Sequence, residues 1–507
     1  MAFTCGLRII IALGLLLETR AENLTRCYGA LGCFSTGGAF SDPRALRHLV
    51  SVLPWSRERI RTQILLYTET NRDKPDRFLW NTVSPSTLRK SKFNSSKKLV
   101  IMVHGYLQIV DIDKTQLMIK DTFIDYLDSN FIFVSWSRGS MTGYWTAAAN
   151  TRIVGAEIAL LIEKIIETFN YRKSDIHLLG HSLGGHIIGY AGRRMPGLRR
   201  LTALDPADPF FQNGDPEIRI DPSDGDFVEA LHTDSRVFVP AIPIGGYGMW
   251  DPVGHVDVYV NGGVNQPACL SLQPAKVVLT STNEKNPFML ARELVVCHHM
   301  YVVRLVAGIF VRDGNCALVS YQCANFTDFL NGRCTDCGPD TAKCFELGKG
   351  GEAYRRYRDA HDWPRRFFIL THVGPPYCMH HYEIRLRLSR ETDVTEAQIA
   401  FVFEDVDGSL SIRAMVHDGH VRLVSREEAQ AWVVGVVSTI KPQIKTIRLS
   451  WISLDRNKRL KLAPTSRLTV YYMNRIIPTR DKNKYLEDFC GPEGLLPDRE
   501  EIIFAKC

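Results

Sequence analysis

The 507-residue chain reads as a mostly parallel α/β sheet followed by an all-β sandwich or barrel, and three observations predict this. From about Thr62 to Gly308, short β-branched runs (ILLYT, LVIMVHG, FIFVSW, IHLLG, LTALD, FVEALHT) alternate with helical stretches such as Ile153 to Phe169, the pattern of a mostly parallel central sheet with flanking helices. From about Phe367, runs such as YEIRLRLS, IAFVFED and IKTIRLSWI alternate apolar and polar residues between turn signals such as DVDG and HDGH, as in a sandwich or barrel. Between them lies a cysteine-rich stretch, residues 316 to 344, after which the helical patterns fade. The expected division is residues 22–350, a connecting segment 351–366, and a β domain 367–507, with no internal repeat.

The chain opens with MAFTCGLRIIIALGLLLETRA, one arginine before an apolar run from Ile9 to Leu17 and small residues at Thr19 and Ala21. Such a run is too short to span a bilayer and fits a signal peptide, residues 1–21, cleaved after Ala21. No other segment reads as transmembrane. Sequons at Asn23, Asn94 and Asn325 agree with a secreted, extracellular, glycosylated protein. Removal of Cys5 leaves twelve of the 13 cysteines, an even number that implies disulfides in an oxidising compartment. Zinc at Cys323, Cys334, Cys337 and Cys344 is the competing reading, and no histidine lies among those four. A net charge of +7 with 23% charged residues is far from a nucleic-acid-binding composition.

Within the first domain, GHSLGG (180–185) stands between a strand-like run, Asp175 to Leu179, and a helix-like run, His186 to Arg194. A strained strand-to-helix turn of this kind lifts a serine hydroxyl clear of the sheet at a helix N-terminus, whose dipole favours negative charge. Ser182 is therefore the candidate nucleophile, with an ordinary turn serine as the alternative. A serine needs a base, and the base needs a carboxylate. In α/β-hydrolases these follow in the order Ser, Asp or Glu, His, which sets aside His104 as a base. LTALDPADP places Asp205 after an apolar run, with Asp208 a nearby rival, and CHHM offers His298 or His299 on a segment that a disulfide at Cys297 would tether. An oxyanion hole would take the Leu183 amide and, after the strand ending at Val103, the Tyr106 amide.

These residues together resemble the animal lipase family that includes pancreatic, hepatic, endothelial and lipoprotein lipases. The matching stretches include CYGALGCFS at 27, HGY at 104, GSMTGYWTAAANTRIVGAEIA at 139, GHSLGGHIIGYAGRR at 180, LDPADP at 204, DPSD at 221, HTD at 232, VGHVDVYVNGG at 253 and the C-x-H ending at 299. The resemblance implies an α/β-hydrolase fold followed by a PLAT-like lipid-associated sandwich, with Ser182 as nucleophile, Asp205 as acid, His299 as base, and the Tyr106 and Leu183 amides as oxyanion hole. It also implies one structural Ca²⁺ held by Asp221, Asp224 and the Arg219 carbonyl. The upstream ligand is open between Glu217 and Pro216, because the spacing is one residue short.

The resemblance implies five disulfide pairings: Cys27 with Cys33, Cys269 with Cys297, Cys323 with Cys334, Cys337 with Cys344, and Cys490 with Cys507. Cys316 and Cys378 are left, and their pairing would tie the two domains together. Residues 270–296 match the family's lid. A long lid and a long loop from Ser235 to Pro252 are features of triacylglycerol hydrolysis at a lipid emulsion or membrane surface. PPYCMHH at 375 and the Cys316 and Cys378 pair instead resemble a phosphatidylserine-type phospholipase, so an sn-1 phospholipase or galactolipase is an alternative. A lipid-binding protein without turnover is the non-enzyme alternative. The family also admits a colipase-like partner. Lys441, Lys445, Arg448, Arg456, Lys458, Arg459 and Lys461 form a cationic stretch that suits heparan sulfate or anionic lipid, or simply a solvated face. Two departures from the family pattern are Ser135, where an aspartate is frequent, and Gly185, where alanine is frequent.

Overall fold

A computed structural model describes the chain except for residues 1–22, 48–50, 109–113, 237–245, 271–286, 310–315, 349–354, 360–364, 376, 388–395, 417–420, 423–428, 437–442, 455–466 and 493–500. The signal peptide, most of the lid, and Lys441, Arg456, Lys458, Arg459 and Lys461 lie outside the described residues. Among the described residues no helix is long and apolar enough to cross a membrane.

Among the described residues the first sheet has eleven strands: β1 (Gln63–Tyr67), β2 (Asp76–Leu79), β3 (Lys98–Val103), β4 (Ser129–Ser135), β5 (Ile176–His181), β6 (Arg200–Leu204), β7 (Val228–His232), β8 (Val256–Val260), β9 (Val319–Gln322), β10 (Cys344–Glu346) and β11 (Arg366–Ile369). Their spatial order is β10-β9-β11-β8-β7-β6-β5-β3-β4-β1-β2. The stretch from β11 to β4 is parallel, and the outer strands at both ends run antiparallel. Strands β3, β5, β6, β7 and β8 are buried almost throughout, which is why they read as apolar runs and not as alternating ones. One face packs on the helices Tyr144–Phe169 and Leu183–Arg194, and the other packs on Lys114–Leu127 and Pro287–Ile309.

Two boundaries differ from expectation. The helix expected over Ile153 to Phe169 begins at Tyr144, because Ala147, Ala148 and Ala149 are buried in its first turns without the bulky periodic side chains that betray a helix in sequence. RFFI, expected near the start of the second domain, is β11 of the first sheet, paired in parallel with β8. The change of sheet therefore falls between Ile369 and His380, not at 367. The second sheet, strands His380–Arg387 to Glu501–Lys506, is antiparallel throughout the described residues, and buries Trp432, Trp451, Phe401 and Phe504.

Six disulfides join Cys27–Cys33, Cys269–Cys297, Cys316–Cys378, Cys323–Cys334, Cys337–Cys344 and Cys490–Cys507. The four cysteines of the alternative zinc reading are thus two bridges. Cys316–Cys378 connects the chain before β9 to the chain before the second sheet. The two sheets also share Asn474, which donates through Nδ2 to the carbonyls of Ala317 at 2.6 Å and Met379 at 2.8 Å.

Candidate active site

The site gathers at the C-terminal ends of β3, β5, β6 and β7, where ligands bind in parallel sheets. Ser182 follows β5 and caps the helix Leu183–Arg194 with φ 57° and ψ −122°, a conformation costly for a residue with a Cβ and characteristic of a nucleophile turn. Glycines make the turn possible. A Cβ on Gly180 would stand 2.1 Å from the Gly184 carbonyl oxygen, and one on Gly184 would stand 2.4 Å from that of Val103. Gly105 lies against the serine in the same way, since its Cβ would fall 2.5 Å from the Ser182 Cβ. The loop after β3 therefore reaches Ser182. Among the described residues neither the Tyr106 nor the Leu183 amide has a hydrogen-bond acceptor, so both donors remain available to an incoming oxygen.

Asp205 directly follows β6 with φ 45°. Its carboxylate is fully buried and accepts three bonds: Oδ1 from the Thr233 amide at 2.8 Å and the Asp234 amide at 3.2 Å, and Oδ2 from His299 Nδ1 at 2.6 Å. Gly248 leaves room for that carboxylate, because a Cβ there would lie 2.4 Å from Oδ1. Since a carboxylate only accepts, the proton of His299 sits on Nδ1 and Nε2 is left with its lone pair. Neither Ser182 Oγ nor His299 Nε2 has a hydrogen-bond partner among the described residues. The choice between the two histidines follows from helix phase. His298 faces the other way and accepts the Gln266 amide at its Nδ1, 2.8 Å, and burial pushes its pKa down to about 4. The segment expected to be a tethered loop is instead the interior of the helix Pro287–Ile309, which gives the imidazole a more rigid base.

Several residues with no role assigned from sequence connect the parts. Gln108 accepts the Gly105 amide at Oε1, 2.8 Å, and donates from Nε2 to His181 Nδ1, 3.1 Å. His181 Nε2 then donates to the His299 carbonyl, 3.1 Å. One chain of bonds thus runs from Gly105, in the loop after β3, to His299. His104, out of order for a base, braces the same loop: it donates from Nδ1 to the Gly105 carbonyl and accepts the Trp136 amide at Nε2, and burial lowers its pKa to about 4. Asp234 is buried beside Asp205 and paired with Arg236 at 3.1 Å. Burial, then the neighbouring Asp205 charge, raises its pKa to about 6. Asp208, the rival acid, is not the partner of the base, since His299 Nδ1 is taken by Asp205; the Asp208 amide donates to the Tyr247 carbonyl. Tyr106, Tyr144 and Phe210 form an aromatic cluster beside the oxyanion loop. Leu107, Met141, Trp145 and Trp250 are exposed apolar side chains.

The calcium expectation meets a different arrangement. The carbonyls of Pro216, Glu217 and Arg219 and the Asp224 carboxylate all accept bonds from the Arg193 guanidinium. An intrachain cation thus stands among the oxygens that the resemblance assigns to Ca²⁺. Asn23, Asn94 and Asn325 are exposed, and Lys445 and Arg448 of the cationic stretch both pair with Glu404.

A strained serine between glycines, with a buried Asp–His pair at neighbouring strand ends, is the arrangement that serine hydrolases use on an α/β sheet. The family model described as Lipase matches residues 25–377. The chain is 34% identical over 400 residues to inactive pancreatic lipase-related protein 1 of Mus musculus, covering 77% of this chain and 79% of that protein. It is 34% identical to pancreatic lipase-related protein 2 of Homo sapiens over 385 residues, 75% of this chain and 78% of that one. It is 36% identical to pancreatic triacylglycerol lipase of Equus caballus over 325 residues, 64% and 66% of the two chains. The chain belongs to the lipase family of pancreatic type.

Proposed function

We propose that the chain is a secreted carboxylic ester hydrolase that cleaves triacylglycerols at a lipid–water interface, with Ser182 as nucleophile, His299 as general base and Asp205 as its orienting acid. The observation that carries this reading is the 2.6 Å bond from His299 Nδ1 to Asp205 Oδ2 beside a serine held in a strained turn. The names of the relatives do not decide between an active and an inactive chain, since both kinds occur among them. An intact, buried Asp–His pair, its carboxylate held by two backbone amides, favours turnover over the non-enzyme alternative.

In this reading His299 Nε2 closes onto Ser182 Oγ when substrate enters and takes its proton as Oγ bonds to the ester carbonyl carbon. The carbonyl oxygen, now negative, accepts from the Tyr106 and Leu183 amides. Collapse breaks the bond to the glycerol oxygen, which receives the proton from His299. Water repeats the attack on the acyl-serine and releases the fatty acid. Asp205 supports the imidazolium that forms in each half without taking its proton.

A phospholipase of the same family is the second reading. The Cys316–Cys378 bridge favours it, but the bridge stands apart from the reacting groups, whereas the Ser235 to Pro252 loop returns to the site through Tyr247, whose ring lies 5.9 Å from that of His299. The test is fatty-acid release by the purified protein and its Ser182→Ala variant, from emulsified triacylglycerol and from phosphatidylcholine vesicles in parallel. Serine-dependent release mainly from the emulsion is expected. Release from vesicles alone selects the phospholipase, and no serine-dependent release from either leaves a lipid-binding protein.

A further inference from the structure

We propose that the Arg193 guanidinium is the resident cation of the 216–224 loop, so that this chain holds without metal a loop for which its resemblance implies calcium.

The contacts are specific. Nη1 donates to the Glu217 carbonyl at 2.5 Å, and Nη2 to the carbonyls of Pro216 at 2.8 Å and Arg219 at 3.2 Å. Nε donates to Asp224 Oδ1 at 3.0 Å, and Nη2 lies 2.9 Å from the same oxygen. Further carboxylate oxygens are also engaged: Asp224 Oδ2 accepts the Asp221 amide at 2.9 Å, and Asp221 Oδ1 accepts the Ser223 amide at 3.1 Å. Calcium takes six to eight oxygens at roughly 2.3–2.6 Å. Here the candidate oxygens surround a planar fork that carries five N–H donors and cannot be deprotonated. A divalent ion among them would face a fixed like charge and would have to displace these bonds.

The helix that carries Arg193 sets it in this position. The arginine sits in the last turn of the helix Leu183–Arg194, the end at which a cation is favoured by the helix dipole. The helix meets the loop at very short range through two glycines. A Cβ on Gly189 would stand 2.8 Å from Asp224 Oδ2, and one on Gly192 would stand 2.2 Å from the Asp224 carbonyl oxygen. Tyr190 adds a bond from its hydroxyl to the Ile218 carbonyl. The one-residue shortening upstream of Arg219 has a structural counterpart, because the Pro216 and Glu217 carbonyls both turn to the guanidinium. Since the same helix begins at Leu183, next to the serine, the clamp braces the element that carries the candidate nucleophile and one oxyanion donor.

The experiment is thermal unfolding of the full mature chain in EDTA and in millimolar calcium, with the Arg193→Gln variant alongside. A ligand bound only by the folded state raises Tm in proportion to its binding. The wild-type Tm is expected to be the same in both buffers. Glutamine is shorter, uncharged and has two N–H donors, so R193Q is expected to lose at least ~3 °C. A wild-type Tm that falls in EDTA and returns with calcium overturns the proposal, as does an R193Q variant as stable as the wild type. If R193Q does not fold, the wild-type comparison alone still decides.

Discussion

His181 Nε2 donates to the backbone carbonyl of His299 at 3.1 Å, and the two rings lie 4.7 Å apart. The bond sets where the helix bearing the base stands relative to the turn bearing the serine. It also fixes the His181 proton on Nε2, leaving Nδ1 to accept from Gln108, and burial keeps this imidazole's pKa well below its usual value. Replacement of His181 by phenylalanine keeps the volume and removes both bonds. The expected result on a soluble p-nitrophenyl ester is a kcat loss of roughly 10- to 100-fold with little change in KM, since small misplacements of a catalytic group cost that much. An unchanged kcat would show that the base is positioned by its helix alone.

Asp205→Asn tests the acid separately from the fold. The asparagine oxygen still accepts the Thr233 and Asp234 amides, but its amide group presents N–H to His299, which then must accept at Nδ1 and carry its proton on the wrong nitrogen. A fall in kcat on the order of 10⁴ is expected, with Tm little altered. A loss below tenfold would make the buried neighbour Asp234, whose amide lies 3.2 Å from Asp205 Oδ1, a sufficient substitute.

Sequence carries the parts of this site that are local. Gly180 and Gly184 declare their turn because a Cβ at either would meet backbone, at 2.1 Å from the Gly184 carbonyl oxygen and 2.4 Å from that of Val103, and Asp205 follows a short apolar run of the kind a buried strand gives. What sequence hides depends on contacts between distant segments. His298 and His299 differ only in helix phase, which CHHM does not reveal. Gln108 and His181 acquire meaning from bonds spanning 73 and 118 residues. Arg193 reads as one of two basic residues closing a helix, and its partners lie 23 to 31 residues on. β11 is as apolar as any strand, so its composition does not say which sheet takes it; its parallel register with β8 does.

Gly184→Ala and Gly185→Ala should differ sharply despite being neighbours. At 184 the added methyl meets the Val103 carbonyl at 2.4 Å, backbone that cannot move without shifting β3. At 185 it meets the Pro206 Cβ at 3.1 Å, a contact relieved by a few tenths of an ångström. Overpacking against fixed atoms costs about 1–3 kcal/mol or more. G184A is expected to unfold several degrees earlier, or to accumulate poorly, while G185A keeps a near-native Tm and activity. Equal behaviour of the two in a thermal melt would mean that the oxyanion loop is softer than its packing indicates.

Acid should destabilise the protein through its buried histidines. Burial lowers the pKa of His104, His255, His298 and His381 to about 4 and of His186 to about 3, and holds His177 and His181 well below the usual value. Above pH ~6.5 these rings are neutral in both states and contribute nothing to the pH dependence. As pH falls below that value the unfolded chain binds protons that the folded one refuses, so stability drops until about pH 4. Glu157 and Asp224, raised by burial to about 7, and Asp234, raised to about 6, run the other way over part of the same window. Seven histidines oppose three carboxyls, and a tenfold difference in proton affinity between folded and unfolded states is worth about 1.4 kcal/mol at any one group, so the net direction is loss. Thermal melts at steps from about pH 7.5 down to 4.5 should show Tm rising slightly at first, as Glu157 and Asp224 take up protons in the folded state, and falling below ~6.5. A Tm that holds or rises as pH falls below ~6.5 would mean that the three carboxyls outweigh the histidines, and that the buried rings take up protons in the folded state.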